Sequence, residues 1–214
     1  MSFTGINSEE ANFQINLFLE SMSSIAGGME RAGANFFNRL KSNWYSPSAV
    51  QFSSTYSTSL YQNTVEVIRS NAYMIANAAR DAANSMILAN GGVPISKEYS
   101  YTSSNHDFGA LSETGPNGVG MNVGEISAAV NDYSSEVTKC VLSLEKIPMN
   151  LSIFDDKDAI VTSFQDTIKS LIETIRSSSS DAIKSINGYI QTEGHKLQTE
   201  TKQSIQNFQG MGRK

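Results

Sequence analysis

Few side chains in this sequence have the type and spacing that chemistry requires. The two histidines, His106 and His195, lie in unrelated contexts, one in a Ser/Asn-rich loop and one beside Gly194 on a polar helix end. Neither belongs to an HExxH, CxxC or EF-hand pattern, so no metal set forms around them. A hydrolase triad would need one of them as base, and no GxSxG elbow is present. The run GPNGVG (115–120) lacks the Lys-Ser/Thr and the preceding apolar strand of a phosphate loop. Cys140 is the single cysteine, which excludes an internal disulfide. It falls on an apolar helical stripe, where a thiol packs as a small apolar group. The sequence therefore predicts no enzyme, no cofactor and no metal.

Two other groups have spacing suited to recognition. In Trp44-Tyr45-Ser46-Pro47 the only tryptophan precedes a serine suited to an N-cap. The proline that follows suits the first helical position, where its missing N–H is not needed. In Tyr189-Ile-Gln-Thr-Glu193 an aromatic and a carboxylate four residues apart share one helix face. A receptor could read that face as an anchor beside a charge.

The elements that position these groups follow from apolar periodicity. Over residues 9–42, Ile15, Phe18, Met22, Ile25, Met29, Ala32 and Phe36 recur at alternating steps of three and four. Such a heptad seam marks long helices packed lengthwise. Over 47–90 the seam is Val65, Ile68, Ala72, Ile75, Ala79, Ala82 and Met86, with Phe52, Tyr56 and Leu60 filling earlier turns. Over 125–147 it is Ile126, Val130, Tyr133, Val137, Cys140, Leu144 and Ile147. The fourth stretch, about 157–208, carries Ile160, Phe164, Ile168, Leu171, Ile175, Ala182, Ile186 and Ile190.

Short turns at 43–47 and 148–156 join the helices in pairs, which makes them antiparallel neighbours. Asp155 or Asp156 would cap the fourth helix. The predicted fold is all-α: two elongated helical hairpins forming a four-helix bundle or coiled-coil rod. Residues 1–90 form the first hairpin, 91–122 a long Gly/Ser/Asn-rich loop beginning at the helix stop Gly91-Gly92, and 123–214 the second hairpin. Within the loop, 98–102 is either a short strand or merely extended. Gly27-Gly28 and Gly33-Ala34 permit either a close helix approach or a kink.

The third helix is shorter than the fourth, so residues 181–208 are expected to overhang. Glu193 falls where the stripe calls for an apolar residue, and a buried charge is costly. The overhang is therefore expected to leave the bundle or dock on a partner. The halves also align at a shift of 110, with Trp44-Tyr-Ser46-Pro-Ser-Ala49-Val50 facing Phe154-Asp-Asp156-Lys-Asp-Ala159-Ile160.

Composition narrows the function classes. The chain has 214 residues, 39% hydrophobic, with net charge −5 from 16 basic and 21 acidic residues. That hydrophobic fraction supports a core. Neither half presents the basic face that nucleic acid requires. No run is long and apolar enough for a transmembrane helix, so stable membrane insertion is not expected. The opening MSFTGINSEE has no basic n-region or apolar h-region, so no cleaved secretory leader is expected.

A helix, a Trp-bearing turn and a second long helix, with Trp44-Tyr45-Ser46 at the turn, resemble the small WXG-motif proteins of type VII secretion. Ser46 stands where that family's glycine usually falls, as in its Trp-x-Ser variants. The resemblance covers residues 1–90, and the full chain would be a tandem of two hairpins. It implies a non-enzymatic protein exported by a Gram-positive type VII system without a cleaved signal peptide. The protein would be cytoplasmic before export, then secreted or held at the cell surface. It would be cargo itself or the targeting partner of a larger effector. Trp44 and Ser46, with Tyr189 and Glu193 matching the family's Tyr-x-x-x-Asp/Glu motif, would form a bipartite secretion signal. The implied partners are proteins: the secretion ATPase, an effector or a second copy, with the chain itself a monomer or homodimer. The competing reading is a structural coiled-coil assembly protein of a phage or cell envelope. A pore-forming toxin is disfavoured by the lack of a long apolar hairpin.

Overall fold

The apolar seams fold into four helical rods in a computed structural model, which describes residues 7–147, 154, 159–196, 199–200 and 202–203. Helix α1 runs unbroken over Ser8–Asn43, capped by Asn7, whose side chain accepts from the Glu9 N–H. The second rod is α2 (Pro47–Tyr61), a π-helical turn (Gln62–Glu66) and α3 (Val67–Ala89). Helix α4 spans Val123–Lys146, and α5 spans Ala159–Tyr189 and ends in a second π-helical turn, Ile190–Gly194. The fold is all-α. The only sheet among the described residues pairs β1 (Trp44–Tyr45) with β2 (Gly120–Met121), antiparallel, with Trp44 opposite Met121.

The seams are the core. Ile15, Phe18, Met22, Met29, Ala32 and Phe36 are buried on α1, and every expected seam residue of α4 is buried. On α3 the buried stripe drifts from the heptad. Beyond Ala79 it continues through Ala83 and Ile87, leaving Ala82 and Met86 half-buried. A straight helix turns about 20° per heptad away from a 3.5-residue repeat, which is the direction of this drift. The π-helical turn has its own trace in the sequence. The steps Phe52, Tyr56, Leu60, Val65 are four, four and five, and the turn absorbs the extra residue while keeping Leu60 and Val65 buried.

The rods are antiparallel neighbours. Phe36 of α1 stacks on Tyr133 of α4 at 4.6 Å between centroids, and Arg39 pairs with Glu125 at 3.3 Å and with Asp132. At about 1.5 Å per residue, α4 covers about 36 Å of the roughly 54 Å length of α1. The N-terminal third of α1 therefore runs beyond it, with Asn12 accepting from the Tyr99 hydroxyl and Asn16 from Lys97 Nζ. The turn expected at 148–156, with its caps, lies outside the described residues apart from Phe154, which is buried.

Two open readings are resolved and one expectation needs correction. Helix α1 continues through its glycines, and Gly33 permits a close approach, by the ring of Phe108, which occupies the space a Cβ would fill. The 91–122 segment forms no strand at 98–102, which leaves the second of the two readings there. It lies along α1 and α3 with Ile95, Tyr99 and Leu111 buried, and it forms β2 at its far end. Residues from 181 onward do not leave the bundle where they are described. Ala182 and Ile186 are fully buried, and the helix end docks on the Trp44 turn.

Candidate functional site

The Trp44 turn is a junction where five elements meet. Helix α1 ends at Asn43, and two residues of extended chain carry Trp44 inward before Pro47 starts α2. Ser46 is the N-cap: its Oγ accepts from the Ala49 N–H at 3.2 Å. Strand β2 closes on β1, and the Asn122 N–H donates to the Asn43 carbonyl at 2.8 Å. Asn122 then caps α4, accepting from the Glu125 N–H. The ring of Tyr45 lies so close to Gly115 that a Cβ there would sit 2.6 Å from it. The fifth element is the end of α5.

The four residues singled out in the sequence come together here. Trp44 is fully buried, with Tyr189 at 5.3 Å and Phe52 at 5.6 Å between ring centroids. Its Nε1 has no hydrogen-bond partner among the described residues. Glu193 Oε2 accepts from the Ser48 hydroxyl, and the Ser46 hydroxyl lies 3.4 Å from the same oxygen. The two serine oxygens are 2.6 Å apart.

The position of Glu193 on an otherwise apolar stripe has an electrostatic reason. Its carboxylate sits at the N-terminus of α2, where unpaired N–H groups and the helix dipole favour negative charge. The expectation that this charge would drive the segment outward is corrected by the two hydroxyls that receive it. Tyr189 and Glu193 are half-buried, so the face they share is only partly open to solvent. Gly194 completes the joint: a Cβ there would lie 2.6 Å from Val123 Cγ2 at the start of α4.

Ser48, Gly194 and β2 were not anticipated. Ser46-x-Ser48 at a helix start was the available sign, because hydroxyls two positions apart can share one acceptor. His106 and His195 are both exposed. His106 meets Tyr61 edge-on at 5.8 Å. Among the described residues no group of three or more His, Cys, Asp or Glu side chains is placed to hold a metal ion. Cys140 is buried, and burial pushes its thiol pKa up to about 12. No helix among the described residues is long and apolar enough to cross a membrane.

Comparison of the chain with protein-family models, with curated proteins and with solved structures finds no match.

Proposed function

We propose that this chain is a non-enzymatic, WXG-like protein of a Gram-positive type VII secretion system, exported as cargo or as the targeting partner of a larger effector. One observation carries the reading. The Trp turn and the Tyr-x-x-x-Glu segment, 145 residues apart between Trp44 and Tyr189 (189 − 44), are in direct contact at the end of one bundle. Sequence separation gives no reason for that contact, whereas a bipartite signal requires it. In this reading the receptor is the secretion ATPase, and it meets the half-buried edge of Tyr189 and Glu193 with Trp44 as their buried support.

The test is export from the native host. The protein is quantified in medium and in cells, with and without the motor ATPase, alongside Tyr189→Ala and Trp44→Ala. Loss of the medium signal without the motor and in Tyr189→Ala supports the proposal. Retention of wild-type protein inside cells with an active motor rejects it.

A second reading, a structural assembly protein, is favoured by Phe13 and Leu17. They stand 55% and 42% exposed, one turn apart, on the part of α1 beyond the reach of α4. It predicts higher-order species by light scattering in dilute solution, where the export reading predicts a monomer or a single dimer.

A further inference from the structure

Asparagine followed by glycine carries a reaction that needs no enzyme. The glycine nitrogen attacks the asparagine side-chain carbonyl, and no Cβ on the glycine blocks its approach. The pair occurs three times, at Asn90-Gly91, Asn117-Gly118 and Asn187-Gly188. The structure ranks the three by how the attacking nitrogen is held. Gly188 lies within the helical run formed by α5 and its terminal π-helical turn, so its nitrogen is freed only when the helix opens. At the end of α3 the Gly91 N–H donates to the Leu88 carbonyl at 3.0 Å and the Gly92 N–H to the Ile87 carbonyl at 2.9 Å. The Asn90 side chain is held there too, donating to the Met86 carbonyl at 2.8 Å. Asn117-Gly118 lies instead in an exposed four-residue turn away from any helix. Two backbone bonds close that turn, one each way between Gly115 and Gly118, both 3.0 Å. Opening it breaks the least structure of the three.

The same turn is clasped at both ends by one residue. The ring of Tyr45 occupies the space beside Gly115, where a Cβ would lie 2.6 Å from it. The backbone of Tyr45 pairs with Gly120 in the β1–β2 ladder. The chain from Gly115 to Gly120 is therefore a loop of fixed span standing on the Trp44 turn. Within it Pro116 has a locked φ, and Gly118 takes a φ of +94°, which glycine adopts without strain. A loop fixed at both ends on one residue has no slack for an added backbone atom. Directly beyond it the Asn122 N–H donates to the Asn43 carbonyl at 2.8 Å, which makes that bond a reporter of the clasp.

We propose that Asn117-Gly118 is a self-modifying site, where Asn117 loses its side-chain amide to water and the clasp on Tyr45 loosens. The Gly118 nitrogen gives up its proton and its lone pair forms a bond to Asn117 Cγ. The Cγ–Nδ2 bond breaks, and the nitrogen leaves with that proton as ammonia. Water then opens the five-membered imide at either carbonyl. Addition at Cγ restores the ordinary backbone and leaves an aspartate. Addition at the backbone carbonyl breaks its bond to Gly118, so the chain runs on through Cγ, one methylene longer, beside a free carboxylate. The sum is amide plus water giving carboxylate plus ammonium, with no oxidant, metal or cofactor. The lengthened product must release Gly115 or Gly120 from Tyr45. This inference is independent of the export reading.

The test ages the full folded chain in mildly alkaline buffer and follows amide-to-acid conversion by peptide mass mapping. Conversion at Asn117 is expected to run at least about tenfold faster than at Asn90 or Asn187, because local opening differs among them. In urea the three rates should draw together, since the ranking comes from the fold. Equal rates in the folded chain, or the same ranking in urea, overturn the proposal. This arm uses the wild type alone and needs no variant to fold. The clasp is read by hydrogen exchange at the Asn122 amide, compared between fresh and aged protein. Aged wild type, enriched in the lengthened product, should exchange there at least about tenfold faster. Aged Asn117→Gln, whose longer side chain disfavours the five-membered ring closure, should stay as protected as fresh protein. Conversion that leaves Asn122 exchange unchanged, or equal loss of protection in Asn117→Gln, overturns the link to the clasp.

Discussion

Gly33 has no side chain because the ring of Phe108 stands in that place, between Phe37 at 5.4 Å and Tyr61 at 5.3 Å. A methyl group there must displace the ring or separate α1 from the loop. Gly33→Ala gains helix propensity of about 1 kcal/mol, but overpacking costs typically 1–3 kcal/mol. We expect net destabilisation in urea unfolding, relieved in the double variant Gly33→Ala/Phe108→Ala, where the substitutions are non-additive because they share one site. At this scale the sequence was partly legible. Trp44, Ser46, Tyr189 and Glu193 stood out by type and spacing, and the chain brings them into contact. The role of Gly33 did not, since a glycine inside a helix does not say which ring approaches it. Glu193 was misjudged for a related reason. A lone carboxylate on an apolar stripe reads as a penalty until the hydroxyls of Ser46 and Ser48, distant in sequence, are placed against it.

Among the elements, the helices could be read from their seams, while the extended segment over them could not. Asn77 and Asn84 lie seven apart on a polar helix face, which in a sequence looks like a face turned to water. Their amides are in fact committed to the Tyr99 and Ile95 backbone. The π-helical turn gives this segment its third anchor by placing Glu66, 5% exposed, against Ser104. Burial raises the carboxyl pKa of Glu66, but hydrogen bonds from Tyr101, Ser103 and Ser104 outweigh it and hold the group below its ordinary value. A carboxyl whose folded value is depressed contributes stability that is complete above its unfolded value. That contribution fades as pH falls through the folded value. Acidification below about pH 4 should therefore lower the urea midpoint and speed exchange of the Ser104 amide. In Glu66→Gln, which has no proton to take up, that part of the acid dependence should be missing.

The whole molecule is tied together from both sides. The Trp44 turn joins α1, α2, α4 and the end of α5, and the segment 93–111 fastens the chain between the hairpins to the first of them. Two hairpins so joined should unfold as one cooperative unit. Trp44 on the first hairpin and Cys140 on the second are buried reporters in the two halves, each the only residue of its type. In a urea titration, the red shift of tryptophan emission and the onset of thiol reactivity should share one midpoint. Separate midpoints would show that the hairpins fold independently and that the junction is a docking contact. The four-rod architecture was predictable because seam, turn and cap agree along the sequence. The docking of the fourth helix end was not, because it depends on where the Trp44 turn lies in space.

The anchored segment also bears on how fast the chain finds this arrangement. From Ala89 to Gly120 the chain has 31 backbone steps (120 − 89) to close before the second hairpin can pair β2 with β1. Once Leu111 is seated, 9 remain (120 − 111). Loop-closure entropy grows as three halves of RT times the logarithm of loop length, so seating the segment first lowers the entropic barrier by about 1 kcal/mol. That corresponds to a rate about sixfold higher, if assembly of the two hairpins limits folding. A feature that holds the native chain in place would then also act as a kinetic guide, delivering the second hairpin to the first.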